Sequence, residues 1–209
     1  FIAALGEWVL RTACLEAATW PSHVSISVNV SPRQFLIGDF VTQVARALQE
    51  SGLEPGRLQL EITETVILNE CKETTSALDQ LQAMGVCIVL DDFGAGYASF
   101  NYLKQFQFTK LKIDKSLVDT LGEDARTFTI VEAVVKVAEG LSIGIIAEGV
   151  ETAIQQYHLD QLGCDELQGY LFSQPLPRSD VRKLLTSPCT IVDPHDTPSG
   201  EPAISAAHA

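Results

Sequence analysis

The sequence predicts a parallel α/β fold. Three observations carry this. Six short runs rich in Val, Ile and Leu recur along the 209 residues. Helical stretches with their own start and stop signals separate them. Polar residues gather at the C-terminal end of every run, where parallel α/β folds build their sites. An open doubly wound sheet and a (β/α)8 barrel both satisfy this alternation. The barrel takes eight strands and about 250 residues. This chain offers six strands and opens in a helix, so as a barrel it is expected to lack one or two strands at its front.

Each element follows from local pattern. Leu5, Trp8, Val9, Ala13 and Ala17 form the apolar stripe of a first helix. The run "VSISVNV" (24–30) reads as the first strand. Phe40, Val44 and Leu48 mark the next helix, with Asp39 as its N-cap and Gly52 as its stop. Strand "LQLEIT" (58–63) follows, then a helix with Ala77, Leu78 and Leu81 ahead of Gly85. Strand "VCIVLDD" (86–92) and strand "KLKID" (110–114) come next. Ile130, Val131, Val134, Val137 and Ala138 stripe a helix that stops at Gly140. Strand "SIGIIAEGV" (142–150) leads to a helix opened by Thr152 and closed near Gly163, and "LQGYLF" (167–172) is the last strand. Val- and Ile-rich runs of this kind fit strands buried on both faces. Residues 1–186 read as one domain, and 187–209, rich in Pro, Ser and Ala without periodicity, as a flexible tail.

Composition narrows the function. The formal net charge of -13 disfavours nucleic-acid polymers and anionic membranes as partners, but not a small anion held in a local site. The apolar runs fall far short of the roughly 20 residues a spanning helix needs, and no signal peptide is legible. The five cysteines are scattered, with Cys14 and Cys87 in apolar segments. That usage predicts buried thiols, a reducing compartment and a cytoplasmic location, and argues against zinc.

The strand ends carry the chemistry. In order they present Asn29; Glu61, with Glu64 just beyond; Asp91 and Asp92; Lys112 and Asp114; Glu148, with Glu151 in the following turn; and Gln168. Taken singly, each acid fits a cap or a solvated loop, and Glu64 and Glu151 fit that well. Taken together they do not, because several unpaired carboxylates are costly to bury and one lysine cannot neutralise them. A cation resolves this. Carboxylates with an amide carbonyl are hard oxygen donors suited to Mg²⁺, Mn²⁺ or Ca²⁺. Two ions bridged by Asp91 would suit phosphoryl chemistry, with Lys112 orienting water or offsetting charge and Glu148 as ligand or base. The histidines lie away from the strand ends, and no G-x-S-x-G elbow is present.

The motifs "NVSPRQF", "EITET", "DDFGAGY", "KLKID", "AEGVET" and "GCDELQGYLFSQPLP" resemble, in this order and spacing, those of the EAL-domain phosphodiesterases. The resemblance runs from about Leu5 to Leu185. It implies a TIM-like (β/α)8 barrel with one antiparallel strand, and hydrolysis of cyclic di-GMP to linear pGpG with Mg²⁺ or Mn²⁺, two ions in all. Asn29, Glu61, Asp91 and Asp92 then match metal positions, and Lys112 and Glu148 catalytic ones. Asp114, Glu151 and Gln168 match substrate-binding or neighbouring positions. Glu64, Phe93, Gly94 and Gly96 match a regulatory loop coupled to homodimerisation. N-terminal regulatory domains in a longer parent protein are a further implication.

The family's Glu-Ala-Leu motif, which supplies a metal ligand from the first strand, has no counterpart here. "EAA" at Glu16–Ala18 lies on a helix. This chain alone is therefore expected to be weakly active or inactive, its intact parent active, and its open sheet edges prone to strand exchange. A non-catalytic cyclic di-GMP receptor or signalling module is the alternative. A barrel glycosidase would need no metal and no Lys112, and would show clustered aromatics.

Overall fold

The computed structural model describes residues 2–36, 39–68, 72–95 and 100–186. Its elements in chain order are α1 (Ile2–Ala17), β1 (Ile26–Asn29), α2 (Pro32–Leu36), α3 (Phe40–Ser51), β2 (Leu58–Thr63), α4 (Glu64–Leu68), α5 (Lys72–Ala83) and β3 (Cys87–Phe93). Then come α6 (Phe100–Gln105), β4 (Lys110–Ile113), α7 (Lys115–Asp119), α8 (Ala125–Gly140), β5 (Gly144–Ala147), α9 (Ala153–Leu162), β6 (Glu166–Leu167) and α10 (Arg178–Thr186). The six strands form one parallel sheet in the order β1-β2-β3-β4-β5-β6. This is a TIM-like barrel wall left open between β1 and β6, with all predicted strands in place. The tail, Gly96, Cys71 and Cys189 lie outside the described residues.

Strand β2 buries two unlike faces. In β2, Leu58, Leu60 and Ile62 are fully enclosed under the helices, whereas Gln59 and Glu61 are buried facing inward. The expectation of apolar strands on both faces is thus half right. The helix side is apolar, and the inner side mixes polar and apolar residues around a cavity of about 1020 Å³. Ser27, Asn29, Gln59, Glu61, Asp91 and Lys112 are among its lining residues.

Several boundaries move for local reasons. In α1 the buried residues are Leu10, Cys14, Glu16 and Ala17, while Leu5, Val9 and, at 63%, Trp8 are exposed. The helix is apolar on more than one side, and packing on β1 and α3 selects the phase. In α8, Ile130 and Val137 are likewise exposed, and Val131, Val134, Val135 and Ala138 face the core. Asp39 precedes α3 but adopts a left-handed φ of 76° and makes no side-chain cap bond, whereas Gly52 ends that helix as expected. Thr152 and Gln155 form a full capping box on α9, and Gly163 closes it at φ 86°. The predicted strand 142–150 is cut at Ala147 because Gly149 turns at φ 70°. The predicted strand 167–172 shrinks to Glu166–Leu167. There the chain presses onto Val150, and a Cβ on Gly169 would stand 2.1 Å from the Val150 carbonyl oxygen.

Helices α1 and α10 meet through Glu16. Glu16 accepts from Arg182 Nε at 2.6 Å and Nη2 at 2.8 Å, and also pairs with Arg178. The Arg182 hydrogen bond, above all, holds the Glu16 carboxyl down at about 2. So "EAA" does sit at a helix end, where it fastens α1 to α10. Cys14, Cys87 and Cys164 are free thiols, Cys14 buried and Cys87 half-buried. Burial pushes Cys14 up to about 11 and Cys164 to about 12, toward the thiol and away from the thiolate. Among the described residues no helix is long and apolar enough to cross a membrane.

Candidate active site

The C-terminal ends of the strands converge on Lys112. Period two along β4 turns it inward, where it is buried and held by carboxylates from β2, from β3 and from the residue just past β5. Its Nζ donates to Glu61 Oε2 at 3.0 Å and to Glu148 Oε1, and stands 3.7 Å from Asp91 Oδ1. Burial works against the ammonium. The Glu61 charge, the Glu148 hydrogen bond and the Asp91 charge outweigh it and raise Lys112 above the ordinary lysine range.

The adjacent acids Asp91 and Asp92 should point to opposite faces of a regular strand. They share a site because β3 is irregular there. Its register against β4 shifts between Leu90 and Phe93, and Asp92 takes a left-handed φ of 58°. The Asp92 N–H donates to Asp91 Oδ1 at 3.0 Å. Oxygens of Asp91, Asp92 and Glu148 all lie within 4.8 Å of one another. Burial is the main cause that lifts Asp91 to about 6. Lys112 opposes the rise, and Glu148, Glu61 and Asp92 add to it. One ammonium against four carboxylates is an uncompensated arrangement. Its donors are all oxygens, so the set fits a hard divalent cation.

The remaining expected residues divide in two. Asn29, in register with Glu61, lines the cavity, as does Gln168, whose backbone bonds Ala147 and Val150. Asp114 instead caps α7, accepting from Ser116 N at 3.0 Å and Ser116 Oγ at 2.5 Å. Glu151 pairs with Lys115 on a half-exposed surface. Neither lines the cavity. Glu64 opens α4, and its Oε1 is buried with no hydrogen-bond partner. Desolvation first, then the Asp92 charge, raises its pKa. Phe93 is buried, and Gly94 turns at φ 100° so closely that a Cβ would stand 2.4 Å from Leu117 Cδ1. Ser27, Gln59 and Glu166 also line the cavity and were not singled out from the sequence. Counting back two residues from Asn29 and Glu61 finds the first two.

An EAL domain model matches residues 1–175. Fold and site thus define the class, and the chain belongs to the EAL domain family. Among its relatives is the bifunctional diguanylate cyclase/cyclic di-GMP phosphodiesterase MucR of Pseudomonas aeruginosa. The two are 42% identical over 184 residues, which is 86% of this chain and 27% of MucR. The chain thus spans about a quarter of that relative's length. A solved structure of the MucR phosphodiesterase with c-di-GMP superposes with a TM-score of 0.81 at 41% identity, covering 86% of this chain and 74% of that one. The EAL domain of Mycobacterium smegmatis DcpA gives 0.81 at 40%, covering 88% and 84%. Klebsiella pneumoniae BlrP1 with manganese and cyclic di-GMP gives 0.79 at 30%, covering 84% and 45%.

Proposed function

We propose that this chain is the catalytic module of a metal-dependent cyclic di-GMP phosphodiesterase acting in the cytoplasm of a bacterium. The observation that carries the reading is the Lys112 cluster, in which Glu61, Asp91 and Glu148 surround one buried ammonium and Asp92 joins from the bulge. The manganese and cyclic di-GMP in the BlrP1 relative support it.

Asp91, Asp92 and Glu148 would hold one Mg²⁺ or Mn²⁺, and Asn29 and Glu61 would extend the donor set to a second. Such ions supply a more acidic water and offset phosphate charge. The chain's own residues do the rest. Lys112 stays protonated, orients Glu61 and Glu148, and places a positive charge where the phosphate oxygens gather charge. Glu148 is placed to take a proton from the attacking water. The water oxygen forms a new bond to one phosphorus, the ester bond from that phosphorus to a ribose oxygen breaks, and the released oxygen takes up a proton, giving the linear dinucleotide with a terminal phosphate. Gln168 and the cavity wall position the substrate, and a volume of about 1020 Å³ accommodates a ligand of this size. The relatives' greater length supports N-terminal regulatory domains in a longer protein. The family resemblance also supports a homodimer.

The test is cyclic di-GMP turnover with and without Mn²⁺, on this chain and on one extended at its N-terminus. The extended chain is expected to cleave in a metal-dependent way, with Lys112→Ala slower by about 10²-fold or more. Binding without cleavage in the extended chain would replace this reading with that of a receptor module.

A further inference from the structure

We infer that Lys115 and Gln155 are positioning residues that tether the turn carrying Glu148 to helix α7. The inference rests on the proposed role of Glu148 and adds what holds it in place. Glu148 is the first residue beyond β5, and its N–H donates to the Ile113 carbonyl at 3.1 Å, one step past the regular β4–β5 pairing. The chain then turns at Gly149, φ 70°. A Cβ there would stand 2.4 Å from Lys115 Cγ and 2.8 Å from its Cβ and Cδ. The Lys115 stem therefore lies flat on the backbone beside Glu148, in a space only glycine leaves free. Its Nζ reaches over the turn to Glu151 and stands 3.3 Å from Asp119 on its own helix.

A second link runs alongside. Gln155 is buried, and its Oε1 accepts from the N–H groups of Glu151 at 2.8 Å and Thr152 at 2.9 Å. Its Nε2 donates to the Val118 carbonyl at 3.3 Å. Both links join the turn after Glu148 to the helix that follows the Lys112 strand. They therefore fix the distance between the two strand ends that meet in the Glu148–Lys112 contact. The Lys115 link is half-exposed and ionic, so it adds little to global stability. Its effect is local order, of the kind that outer residues give to metal-binding carboxylates.

The experiment compares wild type, Lys115→Met, Lys115→Arg and Gln155→Leu by amide hydrogen exchange and by Mn²⁺ titration followed by electron paramagnetic resonance. Lys115→Met is expected to speed exchange across 148–152 by about tenfold, leave β2 and β3 unchanged, and weaken Mn²⁺ binding by about tenfold. Lys115→Arg, which keeps stem and charge, is expected to restore both. Gln155→Leu is expected to act in the same direction and more strongly. Should it fail to fold, Lys115→Met still decides. Exchange across 148–152 in Lys115→Met that matches wild type would overturn the inference. If wild type binds no Mn²⁺ while Lys115→Met loosens the turn, the metal reading fails and the tether stands.

Discussion

Strand β4 carries two inward lysines, one at each end of the barrel interior, and they live in different surroundings. Lys110 meets a single acid, Glu166, at 2.5 Å, reaching it over Gly144, whose missing side chain leaves the path across β5 open. Lys112, two residues on, meets Glu61, Asp91 and Glu148. Near the first end Glu16 is likewise matched, by Arg178 and Arg182. At the first end Glu16 and Glu166 each have a cationic partner, whereas at the other a single ammonium faces several carboxylates. Matched pairs of this kind fix local geometry and add little to stability. The unbalanced cluster has a cost that a bound cation would offset, and the proposed function rests on that imbalance.

Three substitutions or titrations probe that contrast, the strongest first. Lys112→Met leaves buried acids without their counter-charge and is expected to destabilise the fold by about 3–5 kcal/mol in urea unfolding. Added Mn²⁺ is expected to restore part of that loss in the variant. A loss below 1 kcal/mol would mean the cluster is solvated and the contrast is false.

The next effect is on pH. Asp91 titrates at about 6 in the folded chain against 3.8 as its ordinary value. The folded state therefore holds a proton that the unfolded state has released, and metal-free stability falls as pH rises from about 4 to 6. Above that window the full cost of the buried charge is present. A cation competes with the proton, so Mn²⁺ affinity is expected to weaken as pH drops through about 6. Calorimetric titration at several pH values checks this, and an affinity flat from pH 5 to 7 would remove Asp91 from the donor set.

The smallest effect belongs to the balanced end. Lys110→Met is expected to cost about 1 kcal/mol or less, because the Lys110–Glu166 pair is partly exposed and singly matched. Equal losses from Lys110→Met and Lys112→Met would erase the distinction between the two ends.

Much of this was legible in the chain. The six runs of Val, Ile and Leu located the strands to within a few residues, apart from the last. There the close approach of Gly169 to Val150, which no local pattern announces, ends the strand after two residues. Walking the strand ends found Asn29, Glu61, Asp91, Lys112, Glu148 and Gln168, all of which line one cavity. It also gathered Asp114 and Glu151, which the structure turns to capping and to a surface ion pair. A carboxylate at a strand end looks the same in sequence whether it points into the barrel or over its rim.

The sequence by itself determined the alternation of strand and helix, the end of the sheet where polar groups collect, and the oxygen-rich character of the donors. These follow from local periodicity and residue type, which need no knowledge of neighbours. Tertiary structure decided the rest: which face of α1 is buried, that the bulge at Asp92 brings adjacent acids to one site, and that Lys112 rather than Lys110 faces the surplus. Those outcomes depend on register between strands far apart in the chain and on the directions side chains take once packed. Both arise only when the sheet is assembled.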